Sequence, residues 1–220
     1  MRTAIVAGAS GLIGKELVQK LIASDQYGLI YILSRRKSGL VNQKIRELVI
    51  DFDQIDSLRF DGPIDDVFCT LGTTMKQAGS RSNFKKVDYQ YVVDLAFFAK
   101  SQGASKFLVI SSMGANSKSR VFYNCVKGMT EDTLKTVGFD QLVILRPSLL
   151  QGKRTEIRIA ERVSLFIMRA FNFLIPVNYK AIPSQKVADY MLRMALKSGP
   201  KVSVISSGEM QKSEAINLAD

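Results

Sequence analysis

Tyr123 and Lys127, in the run Tyr123-Asn124-Cys125-Val126-Lys127, set a phenol and an ammonium one helical turn apart on the same face of a helix. An ammonium beside a phenol eases release of its proton and can also hold a ribose. Ser112 comes 11 residues before Tyr123, at the end of the apolar run KFLVISS, where a hydroxyl can orient the carbonyl oxygen that a phenol protonates. The chain has 0 histidines, which excludes Ser-His-Asp and Cys-His nucleophiles, HExxH zinc sites and any imidazole base. Proton transfer must therefore use Tyr, Lys, Asp/Glu, Cys or water. The two cysteines, Cys69 and Cys125, lack the spacing of a redox or metal pair. Cys125 projects about 200° around the helix from Tyr123 and reads as a packing residue. No metal site is expected.

A second constellation suits a phosphate-bearing cofactor. The first apolar run enters Gly8-Ala9-Ser10-Gly11-Leu12-Ile13-Gly14, a GxxGxxG turn that opens a helix. Glycines there allow a tight turn and close approach of a pyrophosphate, and the helix N-terminus offers free N–H groups. Gly8, Ser10, Gly11, Leu12, Ile13 and Gly14 are accordingly candidate cofactor contacts. The second strand ends Leu33-Ser34-Arg35-Arg36, where an NAD enzyme places an Asp or Glu on the ribose 2′-hydroxyl. Ser34 does not repel a 2′-phosphate and Arg35 and Arg36 can grip one, which favours NADP(H) over NAD(H). The alternative is that these arginines are solvated loop charges. Asp51 and Phe52, after the third strand, could face an adenine; Asp51 could equally cap a turn.

Something must hold these groups at one edge of a sheet. Short β-branched runs at 3–8, 29–34, 47–51, 66–72, 106–112, 142–147 and 202–207 alternate with amphipathic stretches at 14–24, 83–103 and 123–138, with further helices near 157–175 and 184–198. This pattern predicts an α/β fold, a doubly wound parallel sheet of the Rossmann type buried on both faces. Its ligands bind at the carboxyl ends of the strands. We read residues 1–220 as a single domain, with 148–183 as an insertion carrying a small C-terminal substrate-side lobe.

Composition agrees with a folded chain: 220 residues, 46% hydrophobic and 23% charged. A formal net charge of +11 invites a nucleic-acid or membrane reading, but the cations are spread over both halves in short clusters such as Arg35-Arg36-Lys37. A solvated basic surface that attracts a phosphorylated ligand fits better than dedicated nucleic-acid binding. No stretch reaches the roughly 18 apolar residues of a spanning helix. The opening run reads as a buried strand rather than a signal peptide, and unpaired thiols point to the cytoplasm.

With these motifs in place, the chain resembles the short-chain dehydrogenase/reductase superfamily, and within it the atypical members of the Tat-interacting oxidoreductase-like family. The resemblance covers roughly residues 1–195 and rests on GASGLIG, on Cys69-Thr70-Leu71-Gly72-Thr73-Thr74, on VDYQYVVDLA (87–96), SSMGA (111–115), YNCVKG (123–128) and LRPSLL (145–150). It implies that Leu71, Gly72 and Thr73 line the cofactor, with Ser111 and Pro147 completing its site. It also implies that Ser112, Tyr123 and Lys127 are catalytic, with Ser111 the alternative to Ser112. Many relatives carry a relay Asn on the helix after the fourth strand; the nearest match here is Asp88.

Two classes of function follow: an NADP(H)-dependent oxidoreductase acting on a small carbonyl or alcohol, or a dinucleotide-sensing protein that binds NADPH and a protein partner without turnover. The apolar segment 157–175 could be a buried lobe helix, a membrane-surface element, a subunit contact or a lining of the substrate pocket, and the expected state is a monomer or weak homodimer.

Overall fold

The computed structural model describes residues 1–151 and 176–213. Seven of the apolar runs pair into one parallel sheet: β1 (Arg2–Ala7), β2 (Tyr27–Ser34), β3 (Ile45–Val49), β4 (Asp66–Cys69), β5 (Lys106–Ile110), β6 (Gln141–Arg146) and, after two short strands, β9 (Val202–Ser206). The short strands β7 (Leu150–Gln151) and β8 (Ile182–Pro183) form a separate parallel pair. The order β3-β2-β1-β4-β5-β6-β9 reverses between β1 and β4, which opens a crevice at the carboxyl ends of those strands.

Both faces are covered, as an all-parallel sheet requires. On one side α1 (Leu12–Ala23) and α6 (Ser184–Leu196) bury Leu17, Leu21, Val187 and Met191 against β1, β2 and β5, with Lys20 and Asp189 paired between the helices. On the other, α4 (Tyr91–Ser101) and α5 (Phe122–Thr136) bring Val92, Leu95, Ala99 and Leu134 onto β1, β4, β5 and β6. A last helix, α7 (Ser207–Lys212), opens with a capping box between Ser206 and Glu209. Among the described residues no helix is long and apolar enough to cross a membrane. The segment 157–175 and its proposed roles lie outside the described residues.

Two expected elements differ in detail. The run 66–72 leaves the sheet after Cys69, and the Thr70 hydroxyl donates to the carbonyls of Ala7 and Gly8 at 3.0 Å each, tying β4 to the glycine turn. The helix expected at 83–103 starts two residues earlier and is divided: after a separate short helix, α2 (Met75–Ala78), α3 (Arg81–Lys85) leads into a single π turn, Lys86–Gln90, which runs into α4. The extra residue in that turn advances the helix face, and Asp88 becomes 1% exposed. Such π turns recur at functional sites.

At the amino-terminal ends of the strands, Asp66 of β4 is fully buried and accepts from the Tyr27 phenol at 2.7 Å and from Arg2 at 2.6 Å. Tyr27→Phe keeps the ring and removes one donor from a buried carboxyl, so a loss of about 1–3 kcal/mol is expected in urea unfolding. An unchanged midpoint would show that Asp66 is satisfied without the phenol.

Candidate active site

The glycine turn closes tightly because its geometry demands it. Gly8 has φ +90°, and a Cβ there would lie 2.6 Å from the Thr70 backbone, so a side chain at this position would prise β1 from β4. Gly11 then caps α1, leaving first-turn N–H groups facing the crevice. A dinucleotide pyrophosphate fits this cradle: backbone donors and a helix N-terminus converge on the glycine turn.

One large cleft along the carboxyl ends of the strands collects most of the expected residues. Ser10, Gly11, Leu12 and Ile13 line it from the glycine turn; Leu71, Gly72 and Thr73 from the loop after β4; Ser111 and Ser112 from the end of β5; Tyr123 and Lys127 from α5; and Pro147 from the end of β6. Gly8 and Gly14 support the turn from beneath. Ser34 ends β2 beside Arg35 and Arg36, which are exposed and stand apart from these lining residues. Asp51 caps the turn Phe52–Ser57 by accepting the Asp53 N–H at 3.0 Å. Phe52 is buried in the core, its ring 5.3 Å from that of Tyr91.

The two serines have different surroundings. Ser111 is buried and donates its hydroxyl to Glu131 Oε1 at 2.5 Å, whereas Ser112 lies in the cleft with its hydroxyl 3.2 Å from the Met113 carbonyl. Glu131 also takes a two-pronged grip from Arg146, at 2.9 and 2.5 Å. The ends of β5, α5 and β6 are thus joined through one buried carboxylate. Sequence reasoning passed over Glu131, although it sits one turn beyond Lys127 on the same helix face.

Lys127 is itself buried, and its ammonium is 2.8 Å from Asp88 Oδ1; Asp88 Oδ2 accepts the Thr73 N–H at 2.8 Å. Burial alone would depress the lysine, but the Asp88 carboxylate and the Tyr123 phenol outweigh it, so its proton is held more tightly than usual. The aspartate at the position matched to the relay Asn therefore stands in direct ionic contact with Lys127.

Tyr123 rests on the fully buried Phe84 of α3, ring centroids 5.5 Å apart. On the helix behind it, a Cβ on Gly128 would come within 2.1 Å of the Ser117 backbone, and this closeness lets the loop 112–121 lie flat against α5. The Cys125 thiol donates to the Ser117 carbonyl at 3.2 Å. Burial pushes the Cys69 thiol up to about 12, which leaves it inert as a nucleophile.

A phosphate cradle at the switch point of a parallel sheet, facing a tyrosine and lysine on the neighbouring helix, defines an NAD(P)-binding Rossmann protein with an oxidoreductase-like fold. The NAD(P)H-binding family model matches residues 8–198, and the chain belongs to that family. Protein HTATIP2 of Rattus norvegicus is 31% identical over 96% of this chain and 85% of its own, in keeping with the resemblance read from the motifs. Protein FMP52, mitochondrial, of Candida albicans is 36% identical over 69% of this chain and 68% of its own. Among solved structures, the Bordetella bronchiseptica enzyme WbmH in complex with NAD+ superposes with a TM-score of 0.70 at 15% identity, covering 94% of this chain and 76% of that one.

The relatives correct one expectation. FMP52 proteins of Candida albicans, Emericella nidulans and Aspergillus niger are named mitochondrial, against the cytoplasmic assignment. That assignment rested on unpaired thiols, and free Cys69 and Cys125 do not choose among reducing compartments.

Proposed function

We propose that the chain is an NADP(H)-dependent oxidoreductase that interconverts a small carbonyl and its alcohol through Ser112, Tyr123 and Lys127. The observation that carries this reading is the convergence of those three side chains on the cleft that also holds the glycine turn. When bound, the nicotinamide supplies or accepts the hydride. Tyr123 protonates the carbonyl oxygen, and Ser112 donates a hydrogen bond that orients it. Lys127, fixed by Asp88, keeps a positive charge beside the phenol and offers N–H donors to the ribose. Leu71, Gly72, Thr73 and Pro147 form apolar and backbone walls for the cofactor. A single domain with a substrate-side insertion at 148–183 is part of this proposal; of the insertion's described residues, Ser148 and Leu149 line the cleft, joined there by Gln185 of α6. The fungal relatives favour a mitochondrial setting.

The test is a panel of aldehydes, ketones and quinones with NADPH absorbance as the signal. Turnover of any member supports the enzyme. A blank panel together with a melting temperature raised by NADPH would make the protein a sensor instead.

Cofactor choice has its own expectation. Charge-assisted contacts from Arg35 and Arg36 to a 2′-phosphate should give NADPH on the order of a tenfold advantage over NADH. Calorimetric titration of both cofactors checks it. Equal affinities in the unmodified protein, or a preference that survives Arg35→Ala/Arg36→Ala, would remove the NADP(H) assignment.

A further inference from the structure

The connection after β2 carries three consecutive cations, Arg35, Arg36 and Lys37. The residues on either side of them are fastened to one atom. Ser34 donates its hydroxyl to Glu47 Oε1 at 3.0 Å, and the Ser38 N–H donates to the same oxygen at 2.7 Å. Glu47 lies in β3, opposite Ile32 of β2, so it is supplied by a strand that the motif at the end of β2 does not contain. The rest of the connection is anchored as well: Leu40 packs on the core and the Lys44 ammonium donates to the carbonyls of Ile22 and Ser24, at 2.7 and 3.0 Å.

We propose that Glu47 is a positioning residue for the 2′-phosphate: it straps the Arg35–Lys37 turn across a single carboxylate oxygen and so holds the two arginines ready for the phosphate. This rests on the NADP(H) reading above. Three adjacent cations repel one another and, on a free loop, spread into solvent; ordering them at the moment of binding would cost affinity. The strap removes that cost beforehand. Glu47 does not take the place of the acidic residue of an NAD site, which stands at the end of the second strand; Glu47 lies within β3 and commits its Oε1 to the strand end and the turn. Burial would raise the Glu47 carboxyl, but the Ser38 and Ser34 donors and the Lys37 charge bring it below its ordinary range, so the carboxylate is ionised at neutral pH and the strap is intact.

Three variants test the assignment: Glu47→Ala, which deletes the strap; Glu47→Gln, which keeps an acceptor and drops the charge; and Ser34→Ala, which cuts one of the two attachments. NADPH and NADH are titrated by calorimetry, and the cofactor-free proteins are cut with trypsin. Glu47→Ala should lower NADPH affinity about tenfold and leave NADH within about twofold. It should also speed cleavage after Arg35, Arg36 or Lys37. Glu47→Gln should stay close to the unmodified protein in both assays, with Ser34→Ala between. If Glu47→Ala raises NADPH affinity, Glu47 repels the phosphate and the proposal is wrong; equal loss for both cofactors, or unaltered trypsin cleavage, overturns it too. The double variant Arg35→Ala/Arg36→Ala separates the failures. Loss of NADPH affinity there without loss in Glu47→Ala refutes the strap alone, whereas no loss in either refutes the cofactor reading and the strap with it.

Discussion

Tyr123→Phe is expected to cut turnover of any accepted carbonyl by about 10²–10⁴-fold while NADPH affinity stays within a few-fold. The substitution removes one oxygen and keeps the ring, whose seat on Phe84 is apolar and indifferent to the hydroxyl. Ser112 still lies in the cleft and Lys127 still pairs with Asp88, so what is lost is the proposed proton donor itself. Steady-state rates and a calorimetric titration of NADPH give the two halves of the measurement. Unchanged turnover would sink the Ser112-Tyr123-Lys127 mechanism; a matching collapse of NADPH affinity would recast Tyr123 as a binding residue.

Lys127→Ala should be the most damaging single change, and for two reasons at once. On the proposed mechanism it deletes a ribose donor, and it leaves Asp88, 1% exposed, with the Thr73 N–H against a buried negative charge. Removing one partner of a buried pair costs about 3–5 kcal/mol, so thermal or urea unfolding should show a large loss even without cofactor. Asp88→Asn/Lys127→Met, which removes both charges and keeps much of the volume, should recover most of that stability without recovering turnover. If Lys127→Ala melts at the original temperature, the pair contributes nothing to the fold. The pH dependence has a definite sign. Because folding raises the proton affinity of Lys127, its contribution is complete at neutral pH and is lost only as pH climbs through the raised lysine range.

The strands were legible because buried parallel strands leave an unbroken apolar run; Ala4 to Ala7 and Phe107 to Leu108 are sealed on both sides. The candidate site was legible where sequence spacing dictates local geometry: Ser10 to Ile13 and the pair Tyr123 and Lys127 line one cleft. What stayed hidden is set by contacts between distant segments. The π turn at Lys86–Gln90 changes which face Asp88 occupies without altering hydropathy, so the sequence showed one helix and a doubtful aspartate. Ser111 and Ser112 look alike in the chain, and what singles out Ser111 is its bond to Glu131, 20 residues away. Phe52 beside Asp51 read as an adenine contact, yet its ring fills the core against Tyr91. Glu47 carried no motif at all, since its meaning depends on which strand lies beside β2.

The central placement of β1 bears on how the chain is born. The first of these seven strands to leave the ribosome belongs in the middle of the sheet, between β2 and β4; until β4 emerges, one of its edges has no partner. Parallel strands joined by long crossovers close slowly, and a half-made sheet exposes apolar surface and open backbone in the meantime. A pause in translation before Asp66 would therefore strand the most buried part of the protein with a raw edge, the moment at which a chaperone matters most. A pause before Val202 is milder, since β9 only finishes the margin of a sheet whose interior is already shut.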